Sequence, residues 1–214
     1  MANFNAKSKT AYNKIADNYD NSFDGKYTQK FKRLLTDHIV LEENFNVLDV
    51  ACGNGSLLAL LNKQKAINGF GIDISDQMIK NAIKNNPGMR FCVAGCEAIP
   101  FEDNTMDIIT VSAAYHHFPD VKTFAREAKR VLKAKGKIYI AEVHLNAFLR
   151  SVCNPFLPLS KAGDVKFYSP NQIVDNFSRF GFEKVEVVLS NGVQIISMQK
   201  SNFSLCMEMF LMME

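Results

Sequence analysis

Asn46-Val-Leu-Asp-Val-Ala-Cys-Gly-Asn-Gly-Ser56 is the stretch that decides how this chain reads. It opens as a short apolar strand, residues 46–51, passes through a Gly-x-Gly turn, and leads into an apolar helix from Leu57 to Lys65. A strand that turns on glycines directly into a helix is the first half of a strand–helix–strand unit. Glycine at 53 and 55 lets a backbone come close to a ligand where a Cβ would collide with it. A bare Gly-x-Gly says little, but its place between strand and helix gives it weight.

The pattern repeats outward from that point. Residues 69–74 read as a second strand, and a helix follows from Ser75, a suitable N-cap, to Asn86, with Pro87-Gly88 as the stop. Residues 89–94 and 106–114 read as the third and fourth strands. Pro119 opens a helix that runs to Lys133, Lys135-Gly136 breaks it, and residues 138–143 form the fifth strand. Ser169-Pro170 starts a helix to about Phe180. Two strands, 182–189 and 193–200, then close on Ser190-Asn191-Gly192, which has hairpin chemistry. Before the deciding run, residues 7–20 and 27–41 read as helices; in the second, Phe31, Leu34, Leu35, His38 and Ile39 recur at helical spacing. Alternation of this kind predicts an α/β fold: a mostly parallel sheet of seven strands, helices on both faces, and one antiparallel strand from the C-terminal hairpin. The expected organisation is one domain over 1–200. Residues 144–168, irregular and holding Pro155 and Pro158, are expected to form a lid or acceptor loop. Residues 201–214 form an apolar tail, one candidate for a homodimer contact.

Composition narrows the function. The chain has 214 residues, enough for one full core, with 47% hydrophobic and 22% charged residues. Its 25 basic and 22 acidic residues are spread along the chain and give a net charge of +3, so no electrostatic case arises for nucleic acid. The densest basic stretch, Arg126 to Lys137, reads as the solvated side of a helix. Five cysteines, Cys52, Cys92, Cys96, Cys153 and Cys206, match no zinc spacing and include no Cys-x-x-Cys, so no metal is expected. The N-terminus has no signal-peptide run and no apolar stretch suits a membrane span, which points to a cytoplasmic protein without stable membrane insertion.

In an open parallel sheet, ligands bind beyond the carboxyl ends of the strands where strand order reverses. Asp73 ends the second strand twenty residues after Gly53, the distance at which an acid accepts hydrogen bonds from the two hydroxyls of a ribose. Glycine turn and acid together imply a cofactor that contains adenosine. A dinucleotide would want a third glycine where this chain has Leu58, and only 14 residues follow the last strand, too few for a separate substrate domain. A nicotinamide enzyme is therefore the weaker alternative.

These segments carry a family resemblance. Val47-Leu-Asp-Val-Ala-Cys-Gly-Asn-Gly-Ser56 resembles motif I of the class I S-adenosylmethionine-dependent methyltransferases. Glu97-Ala-Ile-Pro-Phe101 with Asp107, Ser112-Ala-Ala-Tyr-His-His-Phe118, and Arg126-Glu127, Arg130-Val-Leu-Lys133 and Gly136 resemble the segments that follow in that family. Tyr12-Asn-Lys-Ile-Ala-Asp-Asn-Tyr19 looks like the N-terminal helix that covers the cofactor in the ubiquinone and menaquinone biosynthesis branch, where residues 1–45 would supply the covering helices. The resemblance runs from about Tyr12 to Lys200 and implies a Rossmann-like fold. It implies S-adenosylmethionine as cofactor and S-adenosylhomocysteine as product. By the resemblance, Gly53 and Gly55 lie under the methionine part, Asp49 orders its amino end, and Asp73 holds the ribose. Ile74 packs on adenine, Cys96 offers its backbone N–H to the ring, Ser112 offers its carbonyl to the ammonium, and Tyr19 closes over the site. Ala51, Met78, Gly95 and Glu97 complete the expected cofactor shell. One departure stands out. In that family an aspartate commonly precedes the residue matching Cys96 and accepts a bond from the adenine amine, whereas this chain has Gly95. Loss of that bond weakens cofactor binding by about 10- to 100-fold unless a water or another side chain replaces it.

A sulfonium methyl is already activated, so the expected catalysis is in-line displacement governed mainly by orientation. His117 and His116 follow the fourth strand and are the candidates for a general base. No Asn-Pro-Pro-Tyr segment follows that strand, which disfavours methylation of nucleic-acid bases. The expected acceptor is a small molecule. Phe148, Phe156, Leu157, Leu159 and Phe167 suggest an apolar pocket and hence a lipophilic one. The alternative from another class is a regulatory protein that binds the cofactor without turnover.

Overall fold

The structure is a computed structural model that describes residues 4–202. Its centre is the seven-stranded sheet, in the order β3-β2-β1-β4-β5-β7-β6. The strands are β1 (Asn46–Val50), β2 (Asn68–Asp73), β3 (Arg90–Val93), β4 (Met106–Ser112), β5 (Leu132–Val143), β6 (Phe182–Ser190) and β7 (Val193–Lys200). The first five are parallel, and β7 runs antiparallel to both neighbours, as the hairpin chemistry predicts. The helices are α1 (Phe4–Ile15), α2 (Phe23–His38), α3 (Ser56–Gln64), α4 (Asp76–Asn85), α5 (Val121–Val131), α6 (Ala147–Cys153) and α7 (Pro170–Ser178).

Alternate residues of the central strands feed two separate cores. Leu48, Ile109 and Val111 face Phe124, Ala128, Ile173 and Phe177, from α5 and α7. Val47 and Ile108 face Phe31 and Leu35 of α2 and Leu57, Leu58 and Leu61 of α3. This period of two is what makes each central strand a near-continuous apolar run. The starts of α4 and α7 follow the expected capping: the Ser75 hydroxyl accepts from Met78 N–H, and Ser169 with Gln172 forms a reciprocal box around Pro170.

Four expectations need correction. Strand and helix do not alternate throughout, because residues 94–105 join β3 to β4 without a helix. The helix expected to reach Lys133 ends at Val131, and β5 begins at once with Leu132 opposite Met106. Lys135-Gly136 breaks the register of that strand: Lys135 takes a positive φ of 64°, and pairing resumes at Lys137 opposite Ile108. The N-terminal helix stops at Ile15, and a 3-10 segment, Ala16–Asn21, carries Tyr19 into the second helix. Residues 144–168 hold α6 and a 3-10 turn at Leu157–Leu159, so they have more structure than their pattern implied. The tail from 203 onward, with the homodimer contact expected of it, lies outside the described residues. Among the described residues no helix is long and apolar enough to cross a membrane.

Candidate functional site

Strand order reverses between β1 and β4, and a cleft of about 710 Å³, including its open mouth, lies there at the carboxyl ends of the strands. Its walls include Ala51, Gly53, Asp73, Ile74, Met78, Cys96, Glu97, Ser112 and His117, all singled out from sequence, with Tyr19 above them. Asp49, Gly55, Gly95 and His116 are not on the wall.

The loop after β1 is held by Asp73. One carboxylate oxygen accepts the Gly53 N–H at 2.9 Å and the other accepts the Ser75 N–H at 2.8 Å. A carboxylate offers about four lone-pair sites, so two remain for a ligand. Burial pushes the Asp73 carboxyl up, and the backbone bonds counter it. Gly53 has a φ of 52°, the left-handed region that glycine adopts without penalty. Gly55, also left-handed, owes its missing side chain to a neighbour rather than to the cleft: a Cβ there would come within 2.6 Å of Asn86 Nδ2. Two alanines on the wall, Ala51 at 60° and Ala113 at 51°, share that conformation, which costs an L-residue about 1–2 kcal/mol. They sit just past the ends of β1 and β4, where strain is concentrated on the ligand-facing backbone.

Asp49 lies beneath the cleft, opposite Thr110 in the β1–β4 register, and its Oδ1 accepts the Thr110 hydroxyl at 2.7 Å. Burial pushes its carboxyl up to about 7, against the pull of the Thr110 bond and the Lys32 ammonium. Across the strand tips, three polar atoms of the cleft wall are buried and find no hydrogen-bond partner among the described residues: Glu97 Oε1, Ser112 Oγ and His117 Nδ1. The Glu97 carboxylate also reaches the space beside residue 95, where a Cβ would stand 2.8 Å from its Oε2. Burial pushes the Cys96 thiol up, with the Glu97 carboxylate adding to it, so the sulfur is not a nucleophile.

At the β4 end the side chains form a series of polar contacts. Glu142, fully buried on β5, grips His116 Nδ1 at 2.9 Å. Burial alone would lower the His116 pKa, yet the Glu142 charge raises it and makes the pair ionic. Asp164, from the segment after α6, lies 3.6 Å from His116 Nε2 and 3.1 Å from His117 Nδ1. His117 Nε2 meets the Tyr12 hydroxyl of α1 at 3.0 Å. Burial and the neighbouring His116 charge depress His117 to about 3, so it is neutral. His116, His117 and Asp164 bring three ligand atoms within 4.8 Å of one another, a set able to take a divalent cation. Tyr12, Asp164 and Glu142 were not foreseen: their partners lie 105, 47 and 26 residues away, and no spacing rule links them.

The apolar residues expected to wall an acceptor pocket do not reach this cleft. Phe148, Phe156 and Leu159 are 72%, 66% and 77% exposed. Leu157 is half-buried, and Phe167 turns inward, 5.5 Å from the His116 ring.

Comparison with known proteins accords with this geometry. Residues 48–140 match the family described as "Methyltransferase domain". The chain is 32% identical over 201 residues to a demethylmenaquinone methyltransferase of Thermotoga maritima, covering 80% of this chain and 86% of that one. It is also 32% identical over 145 residues to the ubiquinone/menaquinone biosynthesis C-methyltransferase UbiE of Rickettsia prowazekii, but spans only 58% of that protein and 61% of itself. Among solved structures, the methyltransferase partner in a Haloferax volcanii complex with the activator Trm112 superposes with a TM-score of 0.78 over 92% of this chain and 99% of that one, at 18% identity, a likeness of fold alone. Motif, cleft and relatives converge: the chain belongs to the class I S-adenosylmethionine-dependent methyltransferase family, and S-adenosylmethionine is its cofactor.

Proposed function

We propose that the chain transfers the methyl of S-adenosylmethionine to a lipophilic small molecule by in-line displacement, releasing S-adenosylhomocysteine. The supporting observation is the order of three groups across the strand tips: orphaned Glu97 Oε1 beyond β3, Asp73 at the end of β2, and orphaned Ser112 Oγ at the end of β4. An adenine amine, a ribose and a methionine ammonium offer hydrogen-bond donors in that sequence. In this reading Asp73 takes the ribose with its spare lone pairs. Ile74 and Met78 cover the adenine, Cys96 N–H meets the ring, and Glu97 accepts the amine in place of the missing acid at 95. Gly53 and the strained Ala51 present backbone to the methionine. Ser112 receives the ammonium, Asp49 steadies it through Thr110, and Gly55 keeps the turn open. Tyr19 closes over the top.

The cofactor supplies an activated sulfonium methyl, so the protein's task is alignment, which accounts for up to about 7–11 kcal/mol of barrier when geometry is good. His117 stands on the acceptor side with Tyr12 and Asp164 on its two nitrogens. Neutral and weakly basic, it suits an acceptor whose hydroxyl or carbon is already acidic; His116 stands behind it as the partner of Glu142. A lipophilic acceptor is favoured by the quinone-methylating relatives and by the exposed apolar run beside the cleft. The test is calorimetry with S-adenosylhomocysteine followed by turnover on demethylated quinones and simple phenols. Binding without turnover on any of them would point to a regulatory protein, and failure to bind would remove the reading.

A further inference from the structure

Phe148, Val152, Phe156 and Leu159 recur at intervals of four, four and three residues along α6 and the turn that follows it. Their exposures are 72%, 48%, 66% and 77%, and Leu149 beside them is 43% exposed. Single exposed apolar side chains are ordinary, whereas five within 12 residues along one stripe form a docking surface. The outward charges of the segment that carries the stripe have one sign. From His144 to Tyr168 the cations are Arg150, Lys161 and Lys166, and Lys7 of α1 adds its ammonium at the Pro158 carbonyl, 3.0 Å away. The one acid of that segment, Asp164, is turned inward to the histidines.

We propose that this face rests on the surface of an anionic lipid bilayer, with the stripe in the acyl boundary and the four cations among the headgroups. An apolar stripe with a cationic margin and no outward acid is the signature of a segment that lies in the interface plane, and it differs from a protein-binding face in having no counter-charge to set register. α6 has seven residues, far short of a span, so the contact is peripheral. The stripe leads directly into residues 160–166, which touch the cleft wall. Val165 N–H bonds to the His116 carbonyl at 2.8 Å, and the Ala162 carbonyl accepts Ser8 Oγ at 2.7 Å, where Ser8 and His117 are both cleft wall. Docking there brings the acceptor side of the cleft to the membrane, which is where a lipophilic acceptor is found; that consequence rests on the proposed function, whereas the docking itself does not.

The experiment is flotation of the full chain with vesicles of phosphatidylcholine alone and of phosphatidylcholine mixed with phosphatidylglycerol. Partition is expected to be about tenfold or more greater on the mixed vesicles and to fall as salt rises. Phe148→Ser/Phe156→Ser is expected to lower partition by about tenfold, and Leu159→Ser by less, since each removes apolar area from the interface. These side chains carry no core, and unchanged affinity for S-adenosylhomocysteine checks the fold of each variant. No partition of the parent chain, equal partition of the variants, or a dimer in light scattering that Phe148→Ser/Phe156→Ser dissociates would each overturn the proposal. If flotation fails while cofactor binding persists, the methyltransferase reading stands without it.

Discussion

The two ends of the cleft are built from different materials. At the β1–β2 end the surface is mainly backbone: one carboxylate, Asp73, gathers two amides, and glycine or strained alanine brings the chain close. At the β4 end the surface is side chain: Glu142, His116, Asp164, His117 and Tyr12 follow one another, drawn from β5, the segment after β4, the segment after α6, and α1. Backbone surfaces recognise a constant ligand, because every relative can present the same amides. Side-chain surfaces can be rebuilt for each acceptor.

Breaking the first end is expected to have the largest effect. Asp73→Ala removes both loop amides' acceptor and the ribose contact proposed for it, and two charge-assisted bonds correspond to about 3–6 kcal/mol, so affinity for S-adenosylhomocysteine is expected to fall by about 100-fold or more in calorimetry. His116→Ala tests the second end. It leaves Glu142 buried without its counter-charge, at a cost of about 3–5 kcal/mol in urea unfolding, while cofactor affinity changes little in whatever fraction remains folded. Equal loss of cofactor affinity in both variants would erase the distinction between the ends.

Asp49 sharpens the comparison through pH. Its folded carboxyl titrates near 7, above the ordinary carboxylate value, so the neutral form is the one that folding prefers. Its contribution to stability is full below about pH 4 and is lost as pH rises through 7, an effect of about 2–4 kcal/mol. Asp49→Asn should flatten that part of the melting-temperature profile. A cationic ammonium above Thr110 would restore the charge, so S-adenosylmethionine binding should tighten from pH 6 to 8 in the parent and not in the variant. The smallest effect is expected at Gly95→Asp. With Glu97 already where the new side chain would begin, affinity should stay within about threefold of the parent, well short of the gain expected if the site lacked an acceptor.

The contrast also explains what the amino-acid sequence could tell. Seven strands, Gly53 and Asp73 were legible because each follows from a local pattern: an apolar run, a glycine turn, an acid at a fixed distance. The other wall residues, among them Ile74, Cys96 and Ser112, came only through the family resemblance, and Gly95 showed as a departure from it; the compensation by Glu97 proposed above was not legible, since it depends on where a carboxylate points. Tyr12, Asp164 and Glu142 were hidden for a stronger reason, because tertiary folding alone brings them to the histidines. Phe148, Phe156 and Leu159 were read as pocket walls because an apolar run in a loop carries no sign of which side faces water.

Two hydrogen bonds give the cleft its cover: Lys7 to the Pro158 carbonyl and Ser8 to the Ala162 carbonyl. Their partners are separated by 151 and 154 residues, among the longest loops the chain can close. Closing loops of that size is costly, and two hydrogen bonds offset little of it, so α1 and residues 158–163 should exchange their amides with solvent together and before the sheet does.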